Sequence, residues 1–95
     1  MKNKIKLLSW NIWYECNFEQ VTKFLSEADA DIITLQEIVL DDPLRDVNTF
    51  LKNLGYQNVV TPLVEFTDDN NKLVKLHVGI FSKYQIIESF VRPLR

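Results

Sequence analysis

Ile32-Ile33-Thr34-Leu35-Gln36-Glu37-Ile38 is a β-branched, mostly apolar run of strand length, and its reading decides the fold. Asp29-Ala30-Asp31 separates it from a stretch in which Phe18, Val21, Phe24, Leu25 and Ala28 recur at helical spacing. Asn17, followed three residues later by Gln20, resembles a capping box, so a helix of about three turns is expected to start there. Further back, Ile5 to Trp13 places Ile5, Leu7, Ser9 and Asn11 on one face of an extended segment and Leu8, Trp10 and Ile12 on the other. Both faces are largely apolar, the pattern of an interior strand covered on each side. The unit is strand, helix, strand. Right-handed crossover makes its two strands parallel neighbours or near neighbours.

Beyond Ile38, Asp42-Pro43 is a helix start with a favoured cap and a first-turn proline. Leu44, Val47, Phe50, Leu51 and Leu54 make one apolar stripe, and Gly55 ends the helix as a C-terminal cap. Tyr56 to Phe66 reads as a strand region broken at Pro62. Asp68-Asp69-Asn70-Asn71 marks a turn before Leu73 to Ser82, so these two segments form a hairpin. A last strand is expected over Gln85 to Val91. The pattern predicts an α/β fold, a mixed sheet with two amphipathic helices on one face. No repeat, linker or low-complexity tract interrupts it.

The totals exclude several classes. Ninety-five residues suit one domain or part of one. With 46% hydrophobic and 25% charged residues, the chain is globular in composition and not disordered. A net charge of -2 gives no general attraction for a polyanion, so any nucleic-acid contact has to come from a local site. Cys16 is the single cysteine, which excludes an internal disulfide and a cysteine-built zinc centre and fits a reducing, cytoplasmic setting. Ser9 and Asn11 interrupt the first apolar stretch, so it is read neither as a secretory signal nor as a membrane span. No stable membrane insertion is expected.

Ligands in parallel α/β arrangements gather at the carboxyl ends of strands, which directs attention to Asn11 and Glu37. Adjacent strands lie about 4.8 Å apart, so an amide oxygen from one and a carboxylate from the next can converge on one small cation. These hard oxygen donors suit Mg2+ or Mn2+ better than zinc. The plainer reading of the same residues is a strand-end cap and a solvated carboxylate beginning a loop.

Ser9-Trp10-Asn11-Ile12-Trp13 resembles the first signature of the endonuclease/exonuclease/phosphatase family, and Asp31-Ile32-Ile33-Thr34-Leu35-Gln36-Glu37 resembles the second. A third stretch, Gly79-Ile80-Phe81-Ser82-Lys83-Tyr84-Gln85-Ile86, is similar to an internal strand of that family. The three occur in the family's order and span positions 9 to 86. The resemblance implies the amino-terminal part of a DNase I-like α/β/β/α sandwich. It also implies a metal-dependent phosphoesterase in which Glu37 holds the catalytic metal, and Asn11 binds phosphate or steadies the metal site. Gln36 is read as a structural neighbour on the opposite face. Substrates of the family include DNA, RNA, inositol phosphates and sphingomyelin, so the substrate class is a phosphate ester of nucleic acid, inositol phosphate or a phospholipid headgroup.

The family's later motifs, an Asp-x-Asn segment and a closing Asp-His pair, have no counterpart here. Asp46-Val47-Asn48 has the letters but falls inside the second predicted helix. Residues 1–95 are therefore read as a partial domain, inactive alone and inclined to self-association through an exposed half-core. A non-catalytic α/β interaction module that keeps the family scaffold is the alternative. His77, the single histidine, is assigned a surface, core or substrate-side role and not that of the base; Trp10, Trp13, Phe18 and Phe24 are read as core. Lys83 is read as a solvated strand-end lysine and Cys16 as inert. A flavodoxin-like nucleotide binder would need a glycine-rich loop after the first strand, and Gly55 and Gly79 are the only glycines.

Overall fold

A computed structural model describes residues 4–13, 17–40, 42–87 and 89. Strand β1 (Leu7–Asn11) leads into helix α1 (Phe18–Ala28), strand β2 (Ile32–Ile38), a short 3-10 turn (Pro43–Arg45), helix α2 (Val47–Asn53) and the hairpin strands β3 (Gln57–Thr67) and β4 (Leu73–Ser82). The four strands form one mixed sheet in the order β1-β2-β4-β3. β1 and β2 are parallel, and β4 runs antiparallel to both β2 and β3.

Each element starts where its chemistry favours it. Asn17 takes extended backbone angles and its side chain accepts the Gln20 N–H at 3.2 Å, relieving one of the unpaired amides that open α1. The second helix departs from expectation at its start. Asp42 and Pro43 open only the 3-10 turn, and Asp46 caps α2 by accepting the Thr49 N–H at 2.9 Å. Leu44 therefore lies outside the apolar stripe and is exposed. At the other end of α2, Gly55 adopts φ +99°, a left-handed angle that glycine takes without a Cβ clash. The Asp68 side chain closes the β3–β4 turn by accepting the N–H groups of Asn70 and Lys72. Pro62 coincides with a register shift between Pro62 and Val64 in the edge strand β3, where its missing N–H is tolerated.

The register sorts side chains onto two faces. Leu8, Ile33, Phe81 and Asn58 stand in one row across the sheet, and Trp10, Leu35, Gly79 and Val60 in the next. This face meets Val21 and Leu25 of α1 and Val47 and Leu51 of α2 in one core, so both helices pack on the same side, as predicted. Trp10 meets Phe24 edge-on with ring centroids 4.9 Å apart. Trp13 and Phe24 are both exposed and outside the core, so of the four aromatic side chains read as core only Trp10 and Phe18 pack against it. The opposite face carries Leu7, Ser9, Asn11, Thr34, Gln36 and Ile80. Leu7 is 70% exposed on it and Ile80 49%, and β1 lies at the sheet edge and not in its interior. The apolar composition of β1 on both faces suits a second covering layer; among the described residues only the helical layer is present.

Asp31 ties the lower ends of three strands together. Its carboxylate accepts the Lys6 N–H at 2.7 Å, its own N–H donates to the Lys6 carbonyl, and its carbonyl accepts the Lys83 N–H. Lys83 is not a free solvated lysine: its ammonium pairs with Asp29 at 2.5 Å and lies 5.9 Å from the Tyr56 ring centre. Residues 85–87 and 89 are in no strand, so the predicted last strand is not formed there; its remaining residues, like Cys16, lie outside the described set. Among the described residues no helix is long and apolar enough to cross a membrane.

Candidate functional site

At the carboxyl end of β1, Asn11 stands opposite Gln36 of β2 in the parallel register. The Ile12 N–H donates to the Gln36 carbonyl at 3.3 Å, carrying the pairing one residue past the strand. With strands about 4.8 Å apart and consecutive Cα atoms about 3.8 Å apart, the Cα atoms of Asn11 and Glu37 lie within about 9 Å. The two residues singled out in the sequence are thus near neighbours at the tips of adjoining strands.

Strict alternation along β2 would send Glu37 to the helix face with Leu35. A bulge prevents this. Leu35 pairs with Gly79 and Ile38 with His77, so β2 carries one more residue than β4 across the same interval. Leu35 and Ile38 are both fully buried in the helix-side core. Gln36 and Glu37 are consequently displaced together to the other side, where Asn11 stands. This corrects the assignment of Gln36 to the opposite face: the register sets it beside Asn11. Glu37 itself adopts φ +61°, left-handed backbone that a residue bearing a Cβ enters only at a cost of about 1–2 kcal/mol.

The Asn11 amide has a defined orientation. Its Oδ1 accepts the Trp13 N–H at 3.0 Å, and because a backbone N–H can only donate, the atom facing it has to be the oxygen. Trp13 takes φ +54° to close this small turn. The Asn11 Nδ2 is left with two N–H groups and no acceptor among the described residues, and Oδ1 retains a second lone pair. Glu37 is half-buried and makes no hydrogen bond or ion pair among the described residues. The corner thus offers one unpaired carboxylate, one amide oxygen and one amide donor, with the Gln36 amide alongside.

Mg2+ is commonly held by one or two carboxylates, with waters and substrate phosphate completing its shell. A single carboxylate beside an amide fits that requirement for a first ligand. Among the described residues no group of three His, Cys, Asp or Glu side chains is placed to hold a metal. His77 stands opposite Ile38 and therefore on the core side of the bulge by register, with its Nδ1 buried and without a partner among the described residues. Asp46 is occupied in capping α2, which agrees with reading Asp46-Val47-Asn48 as unrelated to the site.

Two features escaped the sequence reading. The role of Asp31 depends on contacts with Lys6 and Lys83, remote in the chain. The bulge did leave a trace: two apolar residues, Leu35 and Ile38, flank a polar pair at a spacing foreign to a regular strand.

The sequence profile described as the Endonuclease/Exonuclease/phosphatase family matches residues 8–95. No curated protein and no solved structure matches the chain.

Proposed function

The chain belongs to the endonuclease/exonuclease/phosphatase family, with an α/β domain of partial DNase I-like form, and from that membership we propose that its β1–β2 corner is part of a divalent-metal-dependent phosphoesterase site. The observation that supports the reading is the bulge, which breaks the alternation of β2 at Glu37, next to the strand end where Asn11 stands, with no partner for the Glu37 carboxylate among the described residues. Glu37 would hold Mg2+ or Mn2+. Asn11 would donate from Nδ2 to a phosphate oxygen, with the remaining lone pair of Oδ1 available to the same ion. A divalent ion bound there would polarise a phosphoryl oxygen and favour release of the leaving oxyanion. The turn locked by Trp13 orients the Asn11 amide before substrate arrives, which lowers the ordering needed on binding.

The substrate is a phosphate ester of nucleic acid, inositol phosphate or a phospholipid headgroup, met in the cytoplasm. The described residues supply neither a base facing the corner nor further acidic ligands, so residues 1–95 alone are expected to show no appreciable turnover. Among the described residues nothing covers the face at Leu7 and Ile80 and no strand pairs with the outer edge of β1, which favours self-association. Light scattering that finds a stable monomer across concentrations would remove that part of the reading. The second reading, a non-catalytic interaction module on the same scaffold, is favoured by the missing three-ligand cluster among the described residues.

Mn2+ titration followed by amide resonances separates the two. Paramagnetic broadening centred on Asn11, Ile12, Glu37 and Ile38, and lost in Glu37→Ala, is the expected result. Broadening centred on Asp68 and Asp69, or indifference to Glu37→Ala, would favour the interaction module.

A further inference from the structure

We propose that Gly79 is a positioning residue for Glu37, acting through Ile38; the functional part of this rests on the reading of Glu37 as the metal-holding carboxylate. Gly79 stands opposite Leu35, at the last regular pair before the bulge. Its φ is not left-handed, so backbone freedom does not explain the glycine. Space does. A Cβ built at Gly79 would lie 2.9 Å from Ile38 Cδ1 and 2.9 Å from Phe81 Cε1, closer than carbon atoms tolerate.

Ile38 and Phe81 are both fully buried, so neither side chain can swing into solvent to make room. Ile38 fills the hole that the absent side chain leaves over β4. By sitting there it draws the end of β2 back into the core after its extra residue, and Glu37 is the residue immediately before it. The left-handed φ of Glu37 has no hydrogen bond of its own side chain to hold it among the described residues, so it depends on what anchors each side. Leu35 anchors one side. Ile38, seated on Gly79, anchors the other. Filling the hole presses on the Cδ1 end of Ile38, and because the packed core leaves that methyl no free space, the end of β2 shifts and carries Glu37 with it.

The test compares Gly79→Ala with two relieving double variants, using the three-bond amide–Hα coupling of Glu37 to read its φ and Mn2+ broadening to read metal binding. In Gly79→Ala the Glu37 coupling is expected to leave its wild-type value and Mn2+ affinity to fall about tenfold, as for other residues that orient a ligand. Adding Ile38→Val removes Cδ1, and is expected to return both the coupling and the affinity. Adding Phe81→Leu relieves the other contact; it should raise the unfolding midpoint while Glu37 stays displaced. That split distinguishes positioning from general packing. An unchanged Glu37 coupling in folded Gly79→Ala would overturn the proposal, as would equal recovery in the two double variants. If Gly79→Ala does not fold, the comparison of the double variants decides alone. Wild-type protein that binds no Mn2+ at Glu37 would defeat the metal reading and with it the functional part of the proposal, whereas the couplings judge the role of Gly79 separately.

Discussion

Leu35 and Ile38 stand three residues apart in β2, yet both are fully buried against the same helices. In a regular strand, residues three apart face opposite sides; here an inserted residue restores Ile38 to the core and leaves Gln36 and Glu37 together outside it.

Glu37 holds a backbone angle better suited to glycine. Glu37→Gly removes the Cβ clash but adds chain entropy to the unfolded state, so a net gain of about 0.5 kcal/mol in unfolding free energy is expected. Urea denaturation measures it. Mn2+ broadening at Asn11 should vanish in the same variant, a gain in stability at the expense of the site.

Asp31 is buried and its carboxylate accepts the Lys6 amide. Asp31→Ala leaves that part-buried N–H without its charged acceptor and is expected to cost about 2 kcal/mol. Asp31→Asn keeps an acceptor oxygen and should recover part of the loss. Equal stability of the Ala and Asn variants in urea would show that the charge, not the acceptor geometry, matters.

Asp46, and not Asp42, caps α2. Asp46→Ala is expected to lower stability by about 1 kcal/mol, the usual worth of such a cap. Asp42 behaves differently: the hydrogen bond from the Leu44 amide, helped by Arg45, holds its carboxyl below the ordinary value of 3.8. Its contribution is therefore present above that value and lost as pH falls through the depressed one. Asp42→Asn should therefore be less stable than wild type near neutrality, and the difference should disappear in acid once the wild-type carboxyl is protonated.

Lys83 and Tyr56 both contribute to the loss of stability at alkaline pH. The hydrogen bond to Asp29 raises Lys83 above its ordinary 10.5, and burial raises the Tyr56 phenol above 10.0. In both cases the folded chain binds the proton more tightly than the unfolded chain, so stability is full below pH 10 and declines as pH rises through the elevated values. Thermal melts between pH 8 and 11 should show this decline. Asp29→Ala should flatten the lysine part, and Tyr56→Phe the tyrosine part; Tyr56→Phe also removes the hydroxyl donated to the Ala30 carbonyl and starts from a lower melting temperature.

Much of the fold was legible because its causes are local. The helical spacing of Val21 and Leu25, the Asn17 cap, the run Ile32 to Ile38 and the turn at Asp68 each act over a few residues and can be read along the chain. Where the reading failed, a remote contact decided. Nothing near Asp42 shows that the helix waits for Asp46, and nothing near Lys83 names Asp29 as its partner.

The places of Asn11 and Glu37 near the carboxyl ends of two strands were legible in the chain, and the parallel pairing of those strands from the helix between them. The side of the sheet to which Glu37 belongs was not. Periodicity along a strand assumes one residue per step, and a bulge breaks that count only when a neighbouring strand is there to be paired. The chain order therefore determined which residues end the two strands. Pairing with β4, where Ile38 packs beside Gly79, a glycine forty-one positions away in sequence, decided where the extra residue of β2 sits and so broke the alternation at Glu37.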